Sequence, residues 1–166
     1  SAAHFIVDTV RQSPGDITLV AVGPLGNLAA ALQLDPELPK LVREVVLMGG
    51  TVIESGNVSP VAEANIWNDP HAADIVFTAG WELTMVGLDV THQVILPVAL
   101  FEQIAAHHCH AATDALAHAV RFYSAFYSQH DPLVGQTNGC YGNDELAFVV
   151  LTDPDLFTLQ RGRVRV

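Results

Sequence analysis

The sequence predicts an α/β protein whose parallel, Rossmann-like sheet is followed by a helical segment. Three short apolar runs rich in β-branched residues alternate with stretches of helical pattern, and this rhythm is typical of parallel strands joined by right-handed crossovers. Half of the 166 residues are apolar and 15% are charged. This composition excludes a disordered chain and is sufficient for a domain with a sizeable core.

The first part of the chain is predicted to contain a helix, a strand and a second helix. Residues 2–12 carry apolar side chains on one helical face, and the turn-forming sequence SPGD then ends that helix. The continuous apolar run at 17–22 is short enough for a strand that is buried on both faces. The Ala and Leu content of the residues that follow predicts a helix over 24–34.

Two further strands are predicted at 44–49 and 82–88, because both are short apolar runs. Between them, Asp69 is a typical helix N-cap and Pro70 a typical first helical residue. A helix is therefore expected to begin there and to end near Gly80.

The chain is expected to form one domain over all 166 residues, with the sheet portion at 1–96 and a mainly helical portion at 97–166. Apolar residues recur at helical spacing in 97–108 and 112–130. Residues 132–142 are rich in Gly, Asn and Pro, and they are predicted to be a loop.

A short helix and a terminal strand are predicted at the end of the chain. The helix is expected to begin near Asn143 or Asp144. Residues 159–166 alternate like a strand, and their three arginines would protect an exposed sheet edge.

The charge and the cysteine content limit the partners of the protein. The formal net charge is −11, which argues against nucleic acid because an acidic surface repels phosphate. Each apolar run is interrupted well before the roughly 18 residues that a membrane helix requires, so no membrane partner is expected. Cys109 and Cys140 are typical of free thiols, and a cytoplasmic location is expected.

A segment rich in polar side chains, residues 55–70, follows the second predicted strand. Ligands of parallel sheets bind outside the carboxyl ends of the strands, so this polar segment is well placed for binding. Asn57, Glu63 and Asn65 suit a ligand with several hydroxyl groups. The absence of Lys and Arg from 44–120 makes phosphate a poor ligand. The alternative is a surface loop in which these residues form turns and helix caps.

Several other residues allow two interpretations. Asp89, Thr91 and His92 either line the pocket or cap the next segment, and Trp67 either packs or stacks on a base. Four side chains lie at helical spacing and could form a zinc site, although a solvated helix surface is the alternative: His107, His110, Asp114 and His118.

Four sequence blocks occur in an order typical of one enzyme family. They are LVAVGPLGNLAAAL, VVLMGG, GNVSPVAEANIWNDPHAADIVF and MVGLDVTHQV. Together they resemble the inosine-uridine preferring nucleoside hydrolases, which are calcium-dependent ribonucleoside N-ribohydrolases with a mostly parallel α/β core. The resemblance runs through nearly the whole chain.

The resemblance implies a set of substrate-binding residues for a ribonucleoside or ribose. Asn57, Glu63 and Asn65 match the ribose-binding positions of the family, and Met48 matches the methionine that packs against the nucleoside. Asn143 stands at the position where purine-cleaving relatives often carry a histidine that protonates the leaving base. Because an amide cannot act as a general acid, the base would have to be activated in another way.

The resemblance also implies a calcium site, in which the Val22 carbonyl and Asp144 would be ligands. The Asp-rich motif of the family, which supplies the general base and further calcium carboxylates, has no counterpart here. We therefore expect an internal, partial nucleoside hydrolase domain with an incomplete sheet. We assign no catalytic residue, and we expect calcium binding to be weak or absent.

Three functional hypotheses follow. The first is a hydrolase of the ribonucleoside N-glycosidic bond that is weakly active or inactive on its own. The second is a non-catalytic folded remnant or an oligomerising ribose-binding fragment. The third is one half of a split enzyme. A homo-oligomer is expected, since an incomplete sheet leaves edges and apolar faces uncovered.

Overall fold

The computed structural model describes residues 1–129 and 131–166, which form two compact units. The first unit contains residues 1–89 and 143–166, and the second contains residues 90–142. Among the described residues, no helix is both long enough and apolar enough to cross a membrane. The single partial domain over the whole chain stays a prediction.

A parallel sheet of three strands forms the centre of the first unit. In their order across the sheet, the strands are β1 (Thr18–Ala21), β2 (Glu44–Met48) and β3 (Leu83–Val86). Val46 of the central strand lies opposite Val20 on one side and Thr84 on the other. Four of the five residues of β2 are buried, which explains its continuous apolar sequence. The predicted α/β class with a parallel sheet is confirmed.

Helices connect and cover the strands of the first unit. They are α1 (Ala2–Gln12), α2 (Gly26–Leu34), α3 (Leu38–Leu41), α4 (Ala64–Asn68), α5 (Pro70–Phe77), α6 (Leu88–Thr91, at the junction with the second unit), α10 (Asn143–Thr152) and a 3₁₀ helix (Pro154–Leu156). As predicted, Asp69 caps α5 by accepting a hydrogen bond from the Ala72 amide at 3.0 Å. Pro70 is the first residue of that helix.

The main core lies between this sheet and its helices. Leu38, Val45 and Leu47 are fully buried there. Trp81 is 8% exposed, and its Nε1 donates to the Val76 carbonyl at 2.9 Å. Burial of these side chains removes apolar surface from water, which stabilises the fold by about 25 cal/mol for each Å² buried.

An ion pair joins α1 to the end of α2. Arg11 donates from Nε and Nη2 to the two carboxylate oxygens of Asp35, at 2.7 and 2.8 Å. Asp35 is buried. The guanidinium group of Arg11 holds the pKa of Asp35 below its ordinary value.

The second unit combines a two-stranded antiparallel sheet with three helices. Its elements are α7 (Val98–His108), α8 (Ala111–Tyr127), α9 (Pro132–Thr137), β4 (Ile95–Pro97) and β5 (Gly139–Tyr141). The helices predicted over 97–108 and 112–130 are confirmed, although His130 lies outside the described residues. His92 stacks on Tyr141 with ring centroids 4.4 Å apart, so it packs within this unit.

Two predictions for the C-terminal third are wrong. Residues 132–142 are not a loop, because Asp131 caps α9 by accepting from the amides of Leu133 and Val134, and β5 pairs with β4. Residues 159–166 form no strand. Arg165 instead donates from Nε and Nη2 to Asp74 at 2.7 and 2.8 Å, so it holds the chain end to α5.

Candidate functional site

The site begins where the parallel strands end. Because β1, β2 and β3 are parallel, their carboxyl ends lie at one edge of the sheet. The segments that leave β2 and β3 are joined there by backbone hydrogen bonds. The Gly49 amide donates to the Val86 carbonyl at 3.2 Å, and the Leu88 amide donates to the Gly50 carbonyl at 2.9 Å.

Glu63 attaches the polar segment to the end of β2. Its side chain is buried, at 2% exposure. One carboxylate oxygen accepts from the Asn65 amide at 2.9 Å, and the other accepts from Gly50 at 2.9 Å and Ile66 at 3.1 Å. Glu63 is therefore both the N-cap of α4 and the anchor of the chain that leaves β2.

Asn65 lies beside the last residue of β2. Its Nδ2 donates to the Met48 carbonyl at 3.0 Å and lies 3.6 Å from the Met48 sulfur. This contact fixes the amide plane of Asn65 against β2. Three of the predicted substrate-binding residues, Met48, Glu63 and Asn65, are thus brought together at the carboxyl end of the central strand.

Asn57 is on the exposed part of the same segment. Its Oδ1 accepts from the Ala64 amide at 2.9 Å, so the side chain supports the start of α4. The turn before α4 is closed so tightly that a Cβ atom on Gly56 would clash with the Ala62 carbonyl. Capping and turn formation, the alternative interpretation, are therefore observed for Asn57, and ligand binding by this residue stays a prediction.

Asp144 and Asn143 occupy the first turn of α10, which packs against β2. Asp144 is solvent-exposed, yet its pKa lies above its ordinary value. Partial burial disfavours the charged form, and the negative charges of Glu145 and Glu63 add to this effect. Within the described part of the chain, Asn143 Oδ1 is buried without a hydrogen-bond partner.

The donors around Asp144 fit calcium only in part. Carboxylate and carbonyl oxygens, such as those of Asp144 and Val22, suit calcium. The Val22 carbonyl follows β1 at the same edge of the sheet. Calcium takes 6 to 8 oxygens, however, and no group of three or more His, Cys, Asp or Glu side chains is positioned for a metal among residues 1–129 and 131–166.

The predicted alternative of a zinc site at His107, His110, Asp114 and His118 is wrong, because these side chains are not grouped around a possible metal position in the described part of the chain. His110 instead caps α8, because its Nδ1 accepts from the Ala112 amide at 3.1 Å. Neither Cys109 nor Cys140 forms a disulfide among the described residues. Trp67 is 57% exposed, so it is not part of the core, and both interpretations of this residue stay predictions.

Asp89 is a residue whose contacts could not be predicted from the sequence. Its two carboxylate oxygens accept from three consecutive amides, those of Val52 (2.8 Å), Ile53 (2.7 Å) and Glu54 (3.0 Å). Partial burial opposes ionisation of Asp89, but these hydrogen bonds outweigh it and its pKa lies below its ordinary value. Capping is therefore the observed role, and the capped segment lies 35 to 37 residues earlier in the chain.

Comparisons of sequence and of structure with known proteins both find nucleosidases and nucleoside hydrolases. The sequence profile of inosine-uridine preferring nucleoside hydrolases matches residues 1–166. Probable uridine nucleosidase 2 of Arabidopsis thaliana is 41% identical over the whole chain, which covers 50% of that protein. A purine-preferring ribonucleoside hydrolase from Gardnerella vaginalis is 39% identical with a TM-score of 0.91, and a plant nucleoside hydrolase is 38% identical with a TM-score of 0.85. These two structural alignments include 100% and 99% of this chain, but they cover only about half of the length of each neighbour.

Proposed function

Because the chain belongs to the inosine-uridine preferring nucleoside hydrolase family, we propose that it carries the ribose-binding part of a site that hydrolyses the N-glycosidic bond of ribonucleosides. The relatives named above differ in whether uridine or purine nucleosides appear in their names. We therefore propose ribonucleosides as the substrate class, without a preferred base.

One observation carries the proposal. Glu63 is held at the end of β2 beside Asn65 and Met48. A buried carboxylate and a fixed amide therefore lie side by side at the carboxyl end of the central strand. Such a set of acceptors and donors recognises vicinal hydroxyl groups.

The remaining hydrogen-bonding positions of Glu63 and Asn65 suit ribose. An ionised carboxylate offers about four lone-pair positions, and backbone amides occupy three of those of Glu63. The remaining position can accept one ribose hydroxyl. Asn65 uses Nδ2 on Met48, so its Oδ1 is available to accept a second hydroxyl.

The reaction adds water across the C1′–N bond. The water oxygen bonds to C1′ and releases a proton, while the electrons of the C–N bond and one proton go to the base. The sugar passes through a state with positive charge at C1′ and the ring oxygen, and fixed carboxylates stabilise such charge. Asn143 can hold the base by a hydrogen bond but cannot supply its proton.

Val22, through its carbonyl, and Asp144 would hold the calcium ion of the family. Calcium, when bound, would supply positive charge that orients water and sugar hydroxyls. With one carboxylate and one carbonyl from these residues, we expect a dissociation constant in the millimolar range or weaker, on the order of 10⁻³ M. We expect the 166-residue chain alone to be weakly active or inactive.

Two further expectations remain part of the proposal. Within the described residues, β1 and β3 each pair on one side only, and open strand edges favour self-association, so we propose a homo-oligomer. A cytoplasmic location also stays a prediction. A separate chain that restores ribose release when mixed with this one would favour the split-enzyme hypothesis over a non-catalytic remnant.

The ribose-binding proposal is tested by titrating uridine and inosine into the chain, with millimolar calcium, and following amide chemical shifts. Asn65→Ala should weaken binding about tenfold, the effect of one lost hydrogen bond of about 1.4 kcal/mol. Asn68→Ala is the matched control, because Asn68 is an exposed amide on the same helix, and its side chain donates to the Ala64 carbonyl. Equal losses in both variants, or no binding by the unaltered chain, would contradict the proposal. A ribose-release assay on the same samples reports the activity of the chain.

A further inference from the structure

The segment that leaves β2 is held at two points by two different carboxylates. Asp89 binds the amides of Val52, Ile53 and Glu54, and Glu63 binds the amide of Gly50. Only residue 51 separates the two held stretches. The side chain of Thr51 also closes this turn, since its hydroxyl donates to the Glu54 carbonyl at 2.6 Å.

The backbone is closely packed where this segment begins, at Gly50. A Cβ atom on Gly87 would lie 2.9 Å from the Gly50 carbonyl oxygen and 3.2 Å from Asp89 Oδ2. Gly50 itself has a φ of +79°, and a Cβ there would meet the Met85 sulfur at 3.1 Å. The backbone at Gly50 therefore packs directly on the backbone that leads into Asp89.

A chain of contacts thus runs from Asp89 to the side chains assigned to ribose. It passes from Asp89 through the turn at 52–54 to Gly50, from Gly50 to the carboxylate of Glu63, and from Glu63 to the amides that begin α4. Asp89 does not need to touch a ligand to influence this arrangement. Its effect is exerted through the backbone to which Glu63 is bonded.

We propose that Asp89 is a positioning residue for ribose recognition, which holds the turn at 52–54 so that Gly50 and Glu63 keep the geometry required for binding. This inference rests on the proposed ribose-binding role of Glu63 and Asn65. It assigns to Asp89 a function distinct from pocket lining, because both of its carboxylate oxygens are directed at backbone amides.

The test compares Asp89→Ala, Asp89→Asn and the control Asp69→Ala in the full chain. Asp69 also caps backbone in the first unit, but its contact is with Ala72 in α5. Amide hydrogen exchange is measured without ligand, and uridine affinity is measured with millimolar calcium. Asp89→Ala should raise exchange about tenfold or more at 52–54 and also at Gly50 and Ile66, because the loss of the cap propagates.

Asp89→Ala should also weaken uridine binding about tenfold, as small displacements of positioning groups do. Asp89→Asn keeps one acceptor oxygen and should give intermediate values in both measurements. Asp69→Ala should leave uridine affinity within about twofold of the unaltered chain. If Asp69→Ala weakens binding as much as Asp89→Ala, the effect is general destabilisation and the inference is overturned.

The two proposals fail in different ways. If the unaltered chain binds no uridine, the proposed function fails, and hydrogen exchange alone decides on Asp89. Faster exchange that reaches Gly50 and Ile66 then supports the positioning role. Exchange that rises only at 52–54, with Gly50 and Ile66 unchanged, overturns it.

Discussion

Replacing Glu63 with alanine removes the shared acceptor of three backbone amides. Two of these amides, Asn65 and Ile66, are in the first turn of α4, and loss of such a helix cap costs about 1 kcal/mol. The third amide, that of Gly50, is on a buried residue, and an unsatisfied buried donor costs about 1 to 3 kcal/mol. We therefore expect the variant to lose about 3 kcal/mol of unfolding free energy.

Thermal denaturation followed by circular dichroism at pH 7, without ligand, measures this loss. For a chain of this size, 1 kcal/mol corresponds to about 3 °C, so Tm should fall by about 9 °C. Glu63→Gln keeps one acceptor oxygen in the same shape and should lose about half as much. A fall in Tm of less than about 2 °C for Glu63→Ala would refute the assignment of Glu63 as the shared acceptor.

Two further predictions concern pH. Because folding raises the pKa of Asp144, its ionisation opposes folding above the unfolded pKa of about 3.9. Asp144→Asn should thus be more stable than the unaltered chain at pH 7 without calcium. The gain should be less than about 1 kcal/mol, because Asp144 is exposed. Thermal denaturation of both proteins near pH 3 should show no difference. Because Arg11 lowers the pKa of Asp35, Asp35 stabilises the fold above about pH 3.9. Asp35→Asn should lower Tm at pH 7. If the difference in Tm between the variant and the unaltered chain stayed the same as the pH fell well below about 4, this explanation would be wrong.

Much of the first unit could be predicted because local rules and burial agree there. β2 is apolar and buried over its last four residues and pairs with a strand on both sides, and Asp69 with Pro70 forms the helix start that these residues favour. The failures lie in the second unit and at the chain end. α9 has only six residues and contains Gly135, so it has no helical period to detect, and its stability comes from tertiary contacts such as the buried Val134.

The candidate site could be located from the sequence but not resolved in detail. The position of the polar segment after β2 followed from strand order, and the resemblance implied roles for Met48, Glu63 and Asn65. The use of Glu63 for three backbone contacts could not be predicted, because those contacts depend on how the loop closes. The same holds for Asp89, whose partners are more than thirty residues away in the chain.

The contrasting surroundings of the two tryptophans make the protein its own optical reporter. Trp81 is shielded in the core and hydrogen-bonded to a carbonyl, so its fluorescence emission is shifted to shorter wavelength and follows unfolding of the first unit. Trp67 is in water on α4, two residues after Asn65, and it emits at longer wavelength. Emission recorded on the long-wavelength side of the band therefore follows the surroundings of α4, and emission on the short-wavelength side follows the core, in a chain that carries no added dye.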